Sequence, residues 1–227
     1  MRPTVHVTHG DALGWLAERR RTPGASLLVG LPDMAETSAS LADWQVFFAQ
    51  AARLCLDAVD EQGLAVFLHT DKRIEDRWVS KAMIVMAAAE AAGSTLLFHK
   101  IVCRKPPGTL MMGRPSYSHL MAFSVAARLP AARSTPDVLV DAGEPAWSHG
   151  MGPRAAAFAV ANIRALSPAT TLLLAPFCGL GEALVAARAQ GLDAHGCELN
   201  RKRSERARAR ALGLPGRAPA GAEAEER

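Results

Sequence analysis

The 227-residue sequence has few of the residues that staple or anchor a chain. Its four cysteines, Cys55, Cys103, Cys178 and Cys197, include no C-x-x-C pair, which excludes a disulfide framework or a zinc knuckle of familiar spacing. Seven histidines are present, but none stands in H-E-x-x-H or another metal-binding spacing, so no metal is expected. No run of about eighteen uncharged apolar residues occurs. The opening MRPTVHVTHGDALGWL lacks an apolar signal core with a small-residue cleavage site. These absences argue against a membrane span and against secretion, and the expectation is a cytoplasmic protein. Aromatic residues are only 5%, with Tyr117 the single tyrosine. Nor does one sign of charge dominate the body of the chain. Residues 201–227 hold eight Lys/Arg against four Asp/Glu, which accounts for the whole formal charge of +4.

What is present is an ordinary globular composition, 49% hydrophobic and 21% charged. The length suits one domain, expected over residues 1–212. Residues 213–227, biased to Pro, Gly, Ala and Glu, read as a disordered tail. The stretch RKRSERARAR at 201–210 reads as a basic helix, either facing phosphates or simply solvated. Short apolar runs predict strands near residues 4–7, 26–31, 64–69, 95–102, 119–124, 171–176 and 194–198. Helical periodicity predicts helices at 12–21, 40–60, 75–92, 154–166 and 181–190. This alternation implies an α/β fold around a doubly wound, mostly parallel sheet. Residues 128–151 form one long irregular stretch, interrupted by DVLV at 137–140, of the kind that serves as a lid, binding segment or linker.

The strongest pattern is TTLLLAPFCGLGEALVAARAQGLDAHGCELN, residues 170–200. It reads as a buried strand, a tight turn with Gly179 and Gly181, an Ala-rich helix, and a second strand ending in Glu198. Glycines let a ligand approach the backbone at a strand's carboxyl end, and an acid on the next strand can accept from both hydroxyls of a ribose. Leu184 stands where the third glycine of a dinucleotide fingerprint would be, although a dinucleotide site is a fair competitor on this pattern alone.

APFCGLGEALVAA followed by GCELN resembles the D-P-F-x-G-S-G-T-T-x-x-A-A and G-x-E-x-N segments of S-adenosylmethionine-dependent amino-methyltransferases. The order matches the permuted subclass common among bacterial DNA adenine and cytosine methyltransferases, in which the cofactor motif comes late. HGDALGWL at 9–16 is similar to the family's G-D-A-L-x-x-L. The resemblance implies a Rossmann-like class I methyltransferase fold with a seven-stranded, mostly parallel sheet and circularly permuted motif order. The first five predicted strands would be sheet strands three to seven, and the last two strands one and two. It further implies S-adenosyl-L-methionine as cofactor. Pro176, Phe177, Gly179 and Gly181 would then wrap its methionine and ribose, Glu198 and Asn200 would lie at the ribose, and Asp11 at the adenine. Ser148, Gly150 and Gly152 would offer backbone N–H groups to its carboxylate. Ala175 departs from the family's acid and Glu182 from its threonine.

The family's catalytic [DNS]-P-P-[YFW] corresponds here to Leu31-Pro32-Asp33-Met34. Leu31 would line the cofactor side, and Pro32 and Asp33 would be catalytic, with Asp33 orienting or deprotonating the acceptor. A turn or capping role for Asp33 is an equal reading. Lys100, Arg104, Lys105, Arg114, Tyr117 and His119, with His69, form a second candidate group. They suit phosphate contact plus a stacking or hydrogen-bonding partner, or a solvated hairpin loop. Few residues remain between the last predicted body strand and the cofactor strand to read a DNA sequence. The expectation is therefore a nucleic-acid partner, RNA favoured over DNA, with methylation of a base nitrogen in tRNA or rRNA and no membrane partner. The alternatives are a DNA amino-methyltransferase without a large recognition domain, a small-molecule methyltransferase, and a catalytically inactive partner subunit.

Overall fold

The computed structural model describes residues 3–37 and 39–214. In chain order these form β1 (Val5–His9), α1 (Ala12–Ala17), β2 (Ala25–Val29), α2 (Met34–Thr37), α3 (Leu41–Ala58), β3 (Ala65–His69), β4 (Lys72–Ile74), β5 (Arg77–Val79), α4 (Lys81–Ala91), β6 (Thr95–Cys103), β7 (Tyr117–Ser124), β8 (Val138–Leu139), α5 (Pro153–Leu166), β9 (Leu172–Ala175), α6 (Glu182–Ala189), β10 (Asp193–Glu198) and α7 (Arg201–Leu212). The disordered tail expected from residue 213 onward falls, beyond Leu214, outside the described residues.

The main sheet runs β1-β10-β9-β2-β3-β7-β6-β8. All pairings are parallel except those of β7, which is antiparallel to both β3 and β6. Each strand predicted from the sequence is present, in the order the permuted arrangement requires. Among the described residues the sheet has eight strands rather than the expected seven. The extra one, β8, is two residues of the DVLV stretch laid parallel on β6.

β2 and β3, ASLLV and AVFLH, are buried along their whole length, as central strands covered on both faces must be. Their side chains alternate between two cores. Leu28, Val66 and Leu173 point to the layer of α5, α6 and α7. Leu27, Phe67 and Leu174 point to the layer of α1, α3 and α4. Ser40, Ser80 and Asn200 cap α3, α4 and α7 by accepting backbone N–H bonds in the first turn.

Two predicted helices are shorter than their pattern, and the helix expected at 12–21 ends at Ala17. The expected 75–92 helix begins at Lys81, because Lys72–Ile74 and Arg77–Val79 pair as an antiparallel hairpin. Its turn is made by Glu75 and Asp76, both left-handed with φ of 47° and 59°. No glycine or proline announces that turn, which is why the periodicity is misleading there.

The order in which the chain lays down its parallel strands reverses between β9 and β2. From β9 the chain passes through α6 to β10 on one side, and from β2 through α3 to β3 on the other. This switch point opens a crevice at the carboxyl ends of the strands, where a ligand meets loops and helix starts rather than sheet.

Candidate active site

At the end of β9 the chain turns sharply. Phe177, Gly179 and Gly181 all take left-handed conformations, with φ of 52°, 55° and 81°. The turn is held by Cys178 N–H to Cys197 O at 2.9 Å and Gly181 N–H to Cys178 O at 2.8 Å. Gly181 starts α6, and a Cβ there would stand 3.0 Å from the Ala207 Cβ of α7. The neighbouring strand β10 delivers Glu198 to the same edge, 6% exposed. Its Oε2 accepts from Gly179 N–H at 3.0 Å, and its Oε1 from Asn200 N–H and Arg203 Nε, both at 2.9 Å. A carboxylate has about four acceptor positions, so Glu198 anchors the turn and keeps capacity for a further donor. Asn200 itself is exposed and caps α7, accepting from Arg203 N–H at 3.0 Å.

Asp11 lies just past the end of β1, in line with Glu198 because His9 pairs with Glu198 in register. It is exposed and caps α1 through Gly14 N–H at 2.7 Å. The two departures from the family pattern also have physical settings. Ala175 is buried in the core. Glu182 binds Arg210 at 2.8 Å and ties α6 to α7. Burial, reinforced by Glu198 and Cys197, pushes the Cys178 thiol up to about 12, so it is not a nucleophile at neutral pH.

Over this turn lies a residue that the sequence reading passed over. A Cβ on Gly179 would stand 3.3 Å from the Trp147 ring, and the Arg203 guanidinium sits 5.1 Å from that ring's centroid. His149 follows, stacked at 5.2 Å on Trp147 and 3.9 Å from Glu36 of α2. The 147–149 segment therefore bridges the glycine turn and the Asp33 loop. Ser148 is exposed, whereas Gly150 N–H donates to Trp147 O at 3.0 Å and is not free for a ligand. Gly152 precedes α5 and must be glycine, since a Cβ there would lie 2.1 Å from Ala142 O.

The Asp33 loop follows β2. Leu31, expected beside a cofactor, is buried against the core of α1 and α3. Pro32 O accepts from Trp44 Nε1 at 3.1 Å. Asp33 accepts from Met34 N–H at 2.7 Å and pairs with Lys72 at 3.1 Å and Lys81 at 3.3 Å. Burial alone would raise its carboxyl, but Lys81 and Lys72 outweigh it and hold the group below the usual carboxylate range. Asp33 therefore shapes its loop through Met34 and is an anion held by two lysines. As a proton acceptor it is weak. Lys81, nearly buried against Trp44 and Phe48, has its own ammonium lowered by burial despite Asp33.

Beside this pair stands a histidine cluster. Asp71 accepts from Lys81 N–H at 2.9 Å and lies 3.3 Å from His119 Nε2. His119 Nδ1 is 2.7 Å from His99 Nε2, and the His69 ring is 5.5 Å away. Tyr117 packs edge-on to His119 at 5.4 Å. His69 is buried, and neither ring nitrogen has a hydrogen-bond partner among the described residues. Burial, with His119 beside it, drops its imidazole to about 3, so it is neutral at physiological pH. Among the described residues no group of His, Cys, Asp and Glu is arranged to hold a metal.

The basic group does not stay together. Lys100 is 3% exposed, donates to Thr135 O at 2.8 Å and pairs with Asp137 at 3.1 Å, on the face of β6 opposite His99. Its expected place at the substrate is therefore corrected: it locks β6 to the segment leading into β8. Arg104 is half-buried at the mouth, and Lys105 and Arg114 are exposed there.

No protein-family model matches the chain, and no curated protein matches it. Solved structures do. A Thermus thermophilus protein described as a DNA modification methylase, captured with S-adenosyl-L-methionine, superposes with a TM-score of 0.67 at 18% identity, covering 94% of this chain and 95% of that one. This is the permuted class I methyltransferase fold. The cytosine-N4-specific PvuII DNA methyltransferase gives 0.68 at 12%, covering 91% and 87%. M1.HpyAVI bound to its cofactor gives 0.59 at 12%, covering 91% and 98%. Likeness at these identities is likeness of fold. It nevertheless corrects the preference for RNA. The matched proteins whose nucleic acid is stated are named for DNA, and this fold spans nearly their whole length, so a small body is no argument against DNA. Among the described residues no helix is long and apolar enough to cross a membrane.

Proposed function

We propose that the protein is an S-adenosyl-L-methionine-dependent methyltransferase whose acceptor is an exocyclic amine of a DNA base. The observation that carries this reading is the pairing of two devices on one carboxyl edge. One is the left-handed turn at Phe177, Gly179 and Gly181, latched to the buried Glu198. The other is an anionic Asp33 fixed by two lysines. The donor set suits the cofactor: an acceptor with spare capacity beside a close-approach glycine turn is what a ribose needs, and Asp11 adds an exposed carboxylate for an amine. When bound, the cofactor supplies an electrophilic methyl group.

The chain's own residues position and shield. Pro176, Phe177, Gly179 and Gly181 form the floor, Glu198 takes the ribose hydroxyls, and the 147–149 segment covers the turn and excludes water. Asp33 accepts a hydrogen bond from the acceptor amine and aims its lone pair, the proton released on methylation passes to solvent, and alignment of donor and acceptor does most of the work. Half-buried Tyr117 faces the place where the base would sit, with the buried His69 and His119 packed behind its ring. Asp33→Asn is expected to lower turnover by about a hundredfold with cofactor affinity within about threefold. Methyl transfer and cofactor titration on the same variant check this, and an equal loss of both would contradict it.

One observation favours a second reading, a partner subunit without its own turnover. Leu31, at the position where the family carries a polar residue, is buried in the core. Such a subunit would bind cofactor, lose that binding in Glu198→Ala, and transfer no methyl group to DNA from cells lacking this gene.

A further inference from the structure

Two segments overhang the candidate site, and their exposed side chains take no part in the chemistry proposed above. The β4–β5 hairpin leaves β3 just beyond His69, and loop 104–116 joins β6 to β7. Because β7 is antiparallel to both β3 and β6, those two strands end at the same edge of the sheet. Both segments therefore rise from the edge that carries Asp33. They are joined to each other, Arg73 N–H donating to Gly113 O at 3.2 Å, and the hairpin's foot is pinned by Lys72 to Asp33.

Loop 104–116 is not a slack connection. Arg104 and Lys105 N–H both donate to Ser116 O, at 2.7 and 3.1 Å, which closes its neck. Thr109 N–H and Oγ1 both donate to Pro106 O, at 3.1 and 2.7 Å, which sets a turn beneath its tip. Pro106, Pro107 and Pro115 restrict the backbone further. The loop contains Arg104, Lys105 and Arg114 and no acidic residue. At its tip Leu110 and Met112 are 85% and 81% exposed, and the hairpin adds Arg77 and a 57% exposed Trp78.

The hairpin turn carries Glu75 and Asp76, the latter paired with Arg73 at 2.8 Å, but among the described residues Arg77, Arg104, Lys105 and Arg114 form no ion pair, and cations without counter-charges select a polyanion. Large apolar side chains held out in water beside those cations need an apolar surface within that polyanion, and in nucleic acid this is the interior of the base stack. We propose that loop 104–116 and the β4–β5 hairpin form a grip on duplex DNA, in which Leu110 and Met112 wedge into the stack and open the target base toward Asp33. This inference rests on the DNA methyltransferase reading and names how that substrate is held. Ordering of the loop in the free protein means that little further ordering is needed on binding.

The test uses the full chain, a short DNA duplex, and the same duplex with one central abasic site. Binding is followed against salt with S-adenosylhomocysteine present, and methyl transfer is followed into genomic DNA from cells lacking the gene. The wild type is expected to prefer the abasic duplex, whose stack is already broken. Leu110→Ser with Met112→Ser is expected to abolish that preference and lower methyl transfer by about tenfold or more, with an unchanged salt slope. Lys105→Ala with Arg114→Ala is expected to reduce the salt slope by about 2 while weakening both duplexes alike. All four changes are on exposed side chains, and unchanged cofactor affinity checks that each variant is folded. A serine pair that methylates at the wild-type rate and keeps the abasic preference would overturn the wedge and leave the methyltransferase reading standing. A wild type that methylates no DNA would overturn both.

Discussion

His69 shows how a single buried residue can set the pH dependence of stability. Its buried ring carries two unpartnered nitrogens, a cost that an apolar ring of similar shape would not incur. The unfolded chain takes up a proton near the ordinary value of 6.5, while the folded ring refuses one until about 3. The folded pKa is the lower one, so stability falls as pH drops through that window, by up to about 1.4 kcal/mol per pH unit. His69→Phe is expected to be as stable as wild type or more so at neutral pH and to lose that part of the acid sensitivity. Denaturant unfolding between pH 7 and 4 checks this, and an unchanged pH dependence would contradict it. Asp33 and Asp71 titrate in a lower window. Both are held below the ordinary 3.8, Asp71 at about 2, so the stability they contribute is present above that value and is lost only as pH falls further.

At this scale the sequence is legible where chemistry is local. Gly179, Gly181 and Glu198 are readable because a tight turn and a strand-end acid need those residue types at that spacing. Lys81 and Trp147 are not, because each acquires its place from a segment distant in the chain. Lys100 looks like its basic neighbours, but strand alternation sends it to the opposite face from His99, where Asp137 pairs with it.

At the scale of elements, the glycine turn is also a packing device. Gly181 has a φ of 81°, and its hydrogen faces Ala207 of α7, leaving no room for a methyl group. Gly181→Ala is expected to destabilise the protein by about 1–3 kcal/mol through backbone strain and loosening of α6 against α7. A shift in denaturation midpoint at unchanged slope measures this, and a shift below about 0.5 kcal/mol would contradict it. The strands were predictable because β2, β3 and β9 are apolar runs with turn residues at their ends. The β4–β5 hairpin was not, because KRIEDRWV carries neither glycine nor proline and its turn rests on left-handed Glu75 and Asp76. β8 was legible only as an interruption, since two residues carry no period.

At the scale of the whole molecule, the permuted order places the cofactor turn, the Asp33 loop, the histidine cluster and the basic overhang on one edge of one sheet. The order was readable from motifs, and the sheet β1-β10-β9-β2-β3-β7-β6 realises it. The choice of nucleic acid was not readable. A short body does not distinguish the two, because solved proteins named for DNA methylation have nearly the same extent.

The most direct test of the account is transfer of labelled methyl groups from S-adenosyl-L-methionine into genomic DNA, tRNA, rRNA and small metabolites, separated from cells lacking this gene. The account predicts label in DNA, recovered on an exocyclic base amine, and lost in Glu198→Ala and Asp33→Asn. Label confined to RNA or to a metabolite, or cofactor binding with no label in any fraction, would contradict it.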